Sequence, residues 1–182
     1  LRWESLLPSY GLAEATCAVS GDKILTPLFV QSFDKKALEK NRVLALDDEN
    51  TAATAGMQLV SSGAPLASLK LIIVNPDTLQ TCPANEVGEI WLEGDCVGAG
   101  YWNNTQETQR TFGVCLKEND GHSYLRTGDL GFIYAGNLFI SARLKDLIVL
   151  NGYNHYPQDI EITVEASHPK IRSAGTAAFT VD

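Results

Sequence analysis

The 182-residue sequence predicts an α/β fold whose larger part is β-rich and barrel-like. Short runs of β-branched and aromatic residues recur between well-marked turns, as strands do. Helix signals are fewer but carry their own start chemistry, and the clearest of them falls in the last quarter of the chain. The composition agrees: 45% of residues are hydrophobic and 20% charged, ordinary for a globular protein and too apolar for disorder.

The strand candidates, in order, are residues 28–33, 42–46, 58–61, 69–74, 87–93, 123–126, 130–134, 138–141 and 147–150. Asn75-Pro76-Asp77, Asn119-Asp120-Gly121 and Ala135-Gly136-Asn137 separate several of them. Residues 130–141 therefore form a hairpin with Gly136 at its tip. Asp34 can cap a short helix reaching Lys40, with Ala37 and Leu38 turned inward. Asn104, followed by Glu107 three residues on, can cap a helix over residues 105–112. Pro157 suits the first turn of a helix over 157–167, where Asp159 and Glu161 favour the positive helix end. Residues 174–181 again have strand composition, so the chain ends on an expected β-α-β unit.

Charge and cysteines exclude several functions. Fourteen basic residues stand against 22 acidic ones, for a net charge of −8. That balance disfavours nucleic acid and anionic membranes as partners, and the basic residues form no stripe. Cys17, Cys82, Cys96 and Cys115 show no C-x-x-C pairing, so four buried or half-buried free thiols in a reducing, cytoplasmic compartment are expected. No apolar run reaches the ~18–20 residues that cross a bilayer. The chain begins at Leu1 and its single methionine is Met57, which suggests a piece of a longer polypeptide.

Four stretches concentrate polar residues, glycines and aromatics. Ser9-Tyr10-Gly11-Leu12-Ala13-Glu14-Ala15-Thr16 offers a ring, a glycine that permits close backbone approach, a carboxylate and a hydroxyl. Such a set can hold a flat base and a divalent cation, or be no more than a strand end and a helix start. In Tyr124-Leu125-Arg126-Thr127-Gly128-Asp129-Leu130-Gly131, the carboxylate can accept ribose hydroxyls or simply close a turn. Ser141-Ala142-Arg143-Leu144-Lys145-Asp146 brings cations to a connector, for phosphate or for solvent. Asn151-Gly152-Tyr153 through Glu161 is a glycine turn that feeds the proline-started helix.

In this order, the four stretches resemble the adenylate-forming superfamily of acyl-CoA synthetases, peptide-synthetase adenylation domains, luciferases and fatty acyl-AMP ligases. Tyr10-Gly11-Leu12-Ala13-Glu14-Ala15-Thr16 is similar to the fatty acyl-AMP ligase branch. So are Val87-Gly88-Glu89-Ile90-Trp91 followed by Gly100-Tyr101-Trp102-Asn103, and Arg143-Leu144-Lys145-Asp146 with Asn154-His155-Tyr156-Pro157. Residues 23–50 resemble the extra insertion of that branch, which packs on the large domain and hinders the swing that serves CoA chemistry.

The resemblance implies an adenylate-forming fold, with residues 1–143 ending the large domain and residues 144–182 opening the small one. It implies ATP-dependent activation of a fatty acid as acyl-adenylate, with Mg2+ as cofactor and an acyl carrier protein as acceptor. Tyr10 would stack on adenine, with Gly11 beside it. Glu14 would be the Mg2+ ligand, with Thr16 close to it in the nucleotide site. Asp129 would take the ribose hydroxyls, Arg143 the ribose or phosphate, and Lys145 the hinge.

Ala142 stands where the family usually has glycine, which puts the local backbone in question. The family's lysine-bearing phosphate loop and its C-terminal catalytic lysine have no counterpart in these residues, so the 182 residues alone are expected to be inactive. An acyl-CoA synthetase, an amino-acid adenylation domain or a non-catalytic β-rich binding module are the competing assignments.

Overall fold

The structure, a computed structural model, describes residues 2–47, 56–118 and 120–181. The end of the insertion at residues 48–50 and Asn119 of one expected turn lie outside these.

A four-stranded antiparallel sheet is the framework. Its strands are β7 (Lys70–Val74), β8 (Gly88–Glu93), β9 (Leu125–Tyr134) and β10 (Asn137–Arg143), in the order β10-β9-β8-β7. The expected barrel-like closure is not made, because β7 and β10 are the two outer strands of an open sheet. The tight turn between β9 and β10 has positive φ at both Ala135 and Gly136, as its two-residue hairpin requires.

Side chains alternate between the two faces of this sheet. Ile90, Leu92, Leu125 and Leu138 pack on one face with Ala15, Val19 and Leu69. Leu130, Phe132, Phe139 and Ala142 pack on the other with Phe33, Leu38, Val87 and Tyr156, and Trp91 with Val74 and Tyr124. The sheet therefore binds the loop that carries Glu14 on one face and the segment that carries Phe33 and Leu38 on the other.

The segment expected to be the insertion contains β3 (Val30–Asp34), α1 (Lys35–Leu38) and β4 (Ala45–Leu46), and β3 also pairs with β5 (Gly56–Val60). Asp34 caps α1 as expected, its Oδ1 accepting from the Ala37 amide at 2.7 Å. Small pairings complete the fold: β1 (Ser9–Tyr10) with β2 (Ser20–Gly21), β2 with β6 (Ala64–Pro65), and β11 (Ile148–Leu150) with β12 (Tyr153–His155). Ser61-Ser62-Gly63 serves as a turn, with Ser61 Oγ accepting from the Gly63 amide.

The capped helix α2 (Thr105–Thr111) and the proline-started α3 (Pro157–Ala166) occur where the sequence places them. Their expected lengths are each about one residue too long.

Three further expectations fail. The runs 123–126 and 130–134 are not separate strands: β9 runs unbroken from Leu125 through Gly128 to Tyr134, and Ser123 and Tyr124 precede it. Residues 174–181 form no strand: the Ala178 amide donates to Glu161 Oε1 and Thr176 Oγ1 to Glu165 Oε1, so α3 side chains take the place of a partner strand. Cys17 and Cys115 are exposed, although all four thiols are free as expected.

Ala142 resolves in favour of the chain. A one-residue bulge at Ser141 shifts the β9–β10 register, and Ala142 lies buried in the core with no left-handed backbone.

Candidate functional site

The first candidate stretch folds back on itself. β1 ends at Tyr10, and a 3-10 turn at Ala13–Ala15 presents Glu14. The Cys17 amide donates to the Leu12 carbonyl, and the Val19 amide to the Tyr10 carbonyl. Thr16 and Cys17 both have positive φ, at 55° and 71°. A β-branched residue in that region marks strain held by its surroundings. Here Thr16 Oγ1 donates to the Cys96 carbonyl at 2.6 Å and pins the turn. A Cβ on Gly11 would lie 1.6 Å from the Cys17 carbonyl oxygen. Gly11→Ala is therefore expected to force the loop apart and destabilise the protein by about 1–3 kcal/mol or more. A thermal melt matching the parent within a degree would refute that role for the glycine.

Asp129, 8% exposed, is the centre of the second stretch. Tyr10 Oη donates to its Oδ2 at 2.6 Å, and Arg143 Nε to its Oδ1 at 3.2 Å. Burial, then the Asp129 carboxylate, push the Tyr10 pKa well above its usual value, so the phenol remains a donor. The three expected nucleotide contacts Tyr10, Asp129 and Arg143, distant in sequence, thus meet in one cluster.

Glu14 Oε1 accepts from Tyr101 Oη at 2.6 Å. Burial and the Glu14 carboxylate push the Tyr101 pKa up to about 12. Glu14, Tyr101, Arg143 and Lys145 line one cleft of about 760 Å³ together with residues of α2 and β9. Lys145 is exposed at its rim, on the 3-10 turn Leu144–Asp146 between β10 and β11. A larger cleft of about 880 Å³, around Lys70 and Glu93, holds none of the residues expected to bind nucleotide or metal or to form the hinge.

The site cleft has four cationic side chains, Arg110, Arg126, Arg143 and Lys145, against three carboxylates, Glu14, Glu89 and Glu107. Arg126 is paired with Glu89 and Arg143 with Asp129, so the cleft offers cationic groups to a polyphosphate ligand but little net positive charge. Tyr10, Gly11, Thr16 and Asp129 do not line the cleft: Arg143 connects the Tyr10–Asp129 cluster to it, and Gly11 and Thr16 shape the loop that holds Glu14.

Sequence reasoning assigned no role to Glu89 and Arg126, which the cleft includes. Their signal was a lone carboxylate inside the apolar run 87–92.

No cage of three or more His, Cys, Asp or Glu side chains exists among the described residues. Mg2+ does not need one, since one or two carboxylates plus substrate phosphates usually hold it. Glu14 at the cleft fits that requirement.

The chain is similar to several known proteins. The model of the family described as "AMP-binding enzyme" matches residues 2–102. The chain is 45% identical over its full length to a medium-chain-fatty-acid–[acyl-carrier-protein] ligase, JamA, of Moorena producens, of which it covers 30%. It is 45% identical, over 91% of its length, to a 4-hydroxyphenylalkanoate adenylyltransferase of Mycobacterium marinum, of which it covers 26%. Its fold matches a fatty acyl-adenylate ligase of Legionella pneumophila in complex with acyl adenylate and pyrophosphate, with a TM-score of 0.72 and 38% identity, over 100% of this chain and 31% of that one. The chain thus spans about 30% of the length of such relatives. With the matched segment exceeding half of the chain and the cleft built as described, the chain belongs to the AMP-binding enzyme family.

Proposed function

We propose that these residues form the nucleotide wall and hinge region of an ATP-dependent fatty acyl-AMP ligase. The fatty-acid carboxylate attacks the α-phosphate of ATP, pyrophosphate leaves, and the acyl group then passes to an acyl carrier protein. The meeting of Tyr10, Asp129 and Arg143 beside a cleft lined by Glu14, Arg126 and Lys145 is the observation that carries this reading.

Asp129 accepts the ribose hydroxyls, and Tyr10 lies beside the base with its phenol on Asp129. Arg143 can leave its long contact with Asp129 to meet ribose or phosphate. Glu14, oriented by Tyr101, would hold Mg2+, which neutralises charge on the phosphoryl oxygens. Gly11 and Thr16 keep Glu14 in place. Lys145, on the turn after β10, is the hinge, so that residues 1–143 end the large domain and residues 144–182 begin the small one. No helix among the described residues is long and apolar enough to cross a membrane, and a cytoplasmic enzyme is consistent with that.

The insertion favours the AMP-ligase branch. It touches the segment beyond Lys145 through Asn41 Oδ1, which accepts from Asn154 Nδ2 at 2.7 Å, and the Leu38 carbonyl, which accepts from Tyr156 Oη at 3.2 Å.

ATP–pyrophosphate exchange in the intact enzyme, with fatty acids of several chain lengths, tests the reading. Acid-dependent exchange and acyl transfer to a carrier protein but not to CoA are expected. Efficient CoA thioester formation would instead indicate an acyl-CoA synthetase, amino-acid-dependent exchange an adenylation domain, and no exchange with any acid a binding module. The 182 residues alone are expected to release no pyrophosphate.

A further inference from the structure

Where β8 and β9 lose register, Glu89 still faces Leu130 and Trp91 still faces Arg126. Ile90 alone therefore spans residues 127–129, and the extra residues bulge out of the ladder. Gly128 takes a left-handed φ of +72° there. Side chains replace the missing ladder bonds. Thr127 Oγ1 donates to the Ile90 carbonyl at 2.8 Å and accepts from the Asp129 amide at 3.1 Å. Glu89 Oε1 accepts from the Gly128 amide at 3.1 Å.

Glu89 is only 1% exposed. Arg126 neutralises it, giving Nε to both carboxylate oxygens at 3.2 and 3.0 Å and Nη2 to Oε2 at 2.7 Å. A buried ion pair seldom stabilises a fold more than a well-packed apolar pair would, so stability alone is a weak reason for it. Its third contact is more informative. The carboxylate that Arg126 fixes is the one that holds the amide next to Asp129. Glu89, Arg126 and Gly128 also line the cleft.

We propose that Glu89 is a positioning residue that, through the Gly128 amide, aims the Asp129 carboxylate at the ribose hydroxyls of the nucleotide. The inference rests on the assignment of Asp129 to the ribose. Glutamine at this position has one acceptor oxygen for donors that now approach two, so its amide nitrogen must face either Arg126 or Gly128. Glu89→Asp keeps the charge but withdraws the carboxylate by one methylene.

The test measures calorimetric affinity of the intact enzyme for ATP and for 2′,3′-dideoxy-ATP, which lacks the hydroxyls. The unmodified enzyme is expected to prefer ATP at least tenfold, and Asp129→Ala to abolish the preference. Glu89→Gln, or Glu89→Asp where the glutamine variant does not fold, is expected to cut the preference at least threefold. It should do so while leaving dideoxy-ATP affinity and the fatty-acid KM within twofold. An unchanged preference in a folded Glu89 variant would overturn the inference while Asp129→Ala still abolished it. Equal losses for both nucleotides would also overturn it, since they indicate a merely structural role. A preference that survives Asp129→Ala would instead remove the ribose assignment itself.

Discussion

Replacing Asp129 with alanine is expected to weaken ATP binding to the intact enzyme by about 10- to 100-fold. A hydrogen bond to a charged group contributes about 1.5–3 kcal/mol, and each 1.4 kcal/mol is about tenfold in affinity. Asp129 is buried, so water substitutes poorly for the lost acceptor. The change also strands the Tyr10 phenol, a half-buried donor, and releases Arg143 from its contact at 3.2 Å. Asp129→Asn retains one acceptor oxygen and the side-chain shape, so its loss should be the smaller of the two. Calorimetric titration with ATP reads both. Unchanged affinity in a folded alanine variant would show that the ribose is held elsewhere.

What could be read in the sequence was local chemistry. Asp34 and Asn104 cap their helices because a short polar side chain can reach the amide three residues ahead, whatever packs around it. Pro157 starts α3 for the same kind of reason. The features that escaped depend on partners far away in the chain. β1, β2 and β6 are two residues each and exist only because they pair with one another. Gly128-Asp129 has the composition of a turn, yet β9 runs through it because Glu89, on the neighbouring strand, holds the Gly128 amide.

The candidate site divides in the same way. The order of the motifs identified Tyr10, Asp129 and Arg143, and the fold brings them within bonding distance. Tyr101 and Glu89 were part of quoted motifs without a role, because their partners Glu14 and Gly128 are 87 and 39 residues away. Spacing along the chain does not encode such contacts.

Phe33→Ala should have the other large effect, a loss of about 3–5 kcal/mol of stability, the usual range for emptying a buried aromatic site. Phe33 is fully buried, with its ring edge-on to Phe132, Tyr134 and Phe139 at centroid distances of 5.0, 5.4 and 5.3 Å. It precedes the Asp34 cap of α1, so the cavity opens directly beneath that helix. α1 and the residues after it are what the segment beyond Lys145 rests on. The Asn154 amide donates to the Glu39 carbonyl at 2.9 Å, and Lys35 pairs with Asp159 at 2.8 Å. The Lys35–Asp159 pair is partly exposed, and such pairs contribute about 0–1 kcal/mol. The shared core is therefore the stronger tie, and Lys35→Ala should be nearly silent where Phe33→Ala is not. Urea denaturation should show a lower midpoint for Phe33→Ala, and hydrogen exchange a faster Asn154 amide. A midpoint loss without faster exchange at Asn154 would mean that β3 and α1 stabilise the sheet but do not hold the segment beyond Lys145. Any restriction of rotation about Lys145, the proposed hinge, would then have to come from elsewhere in the protein.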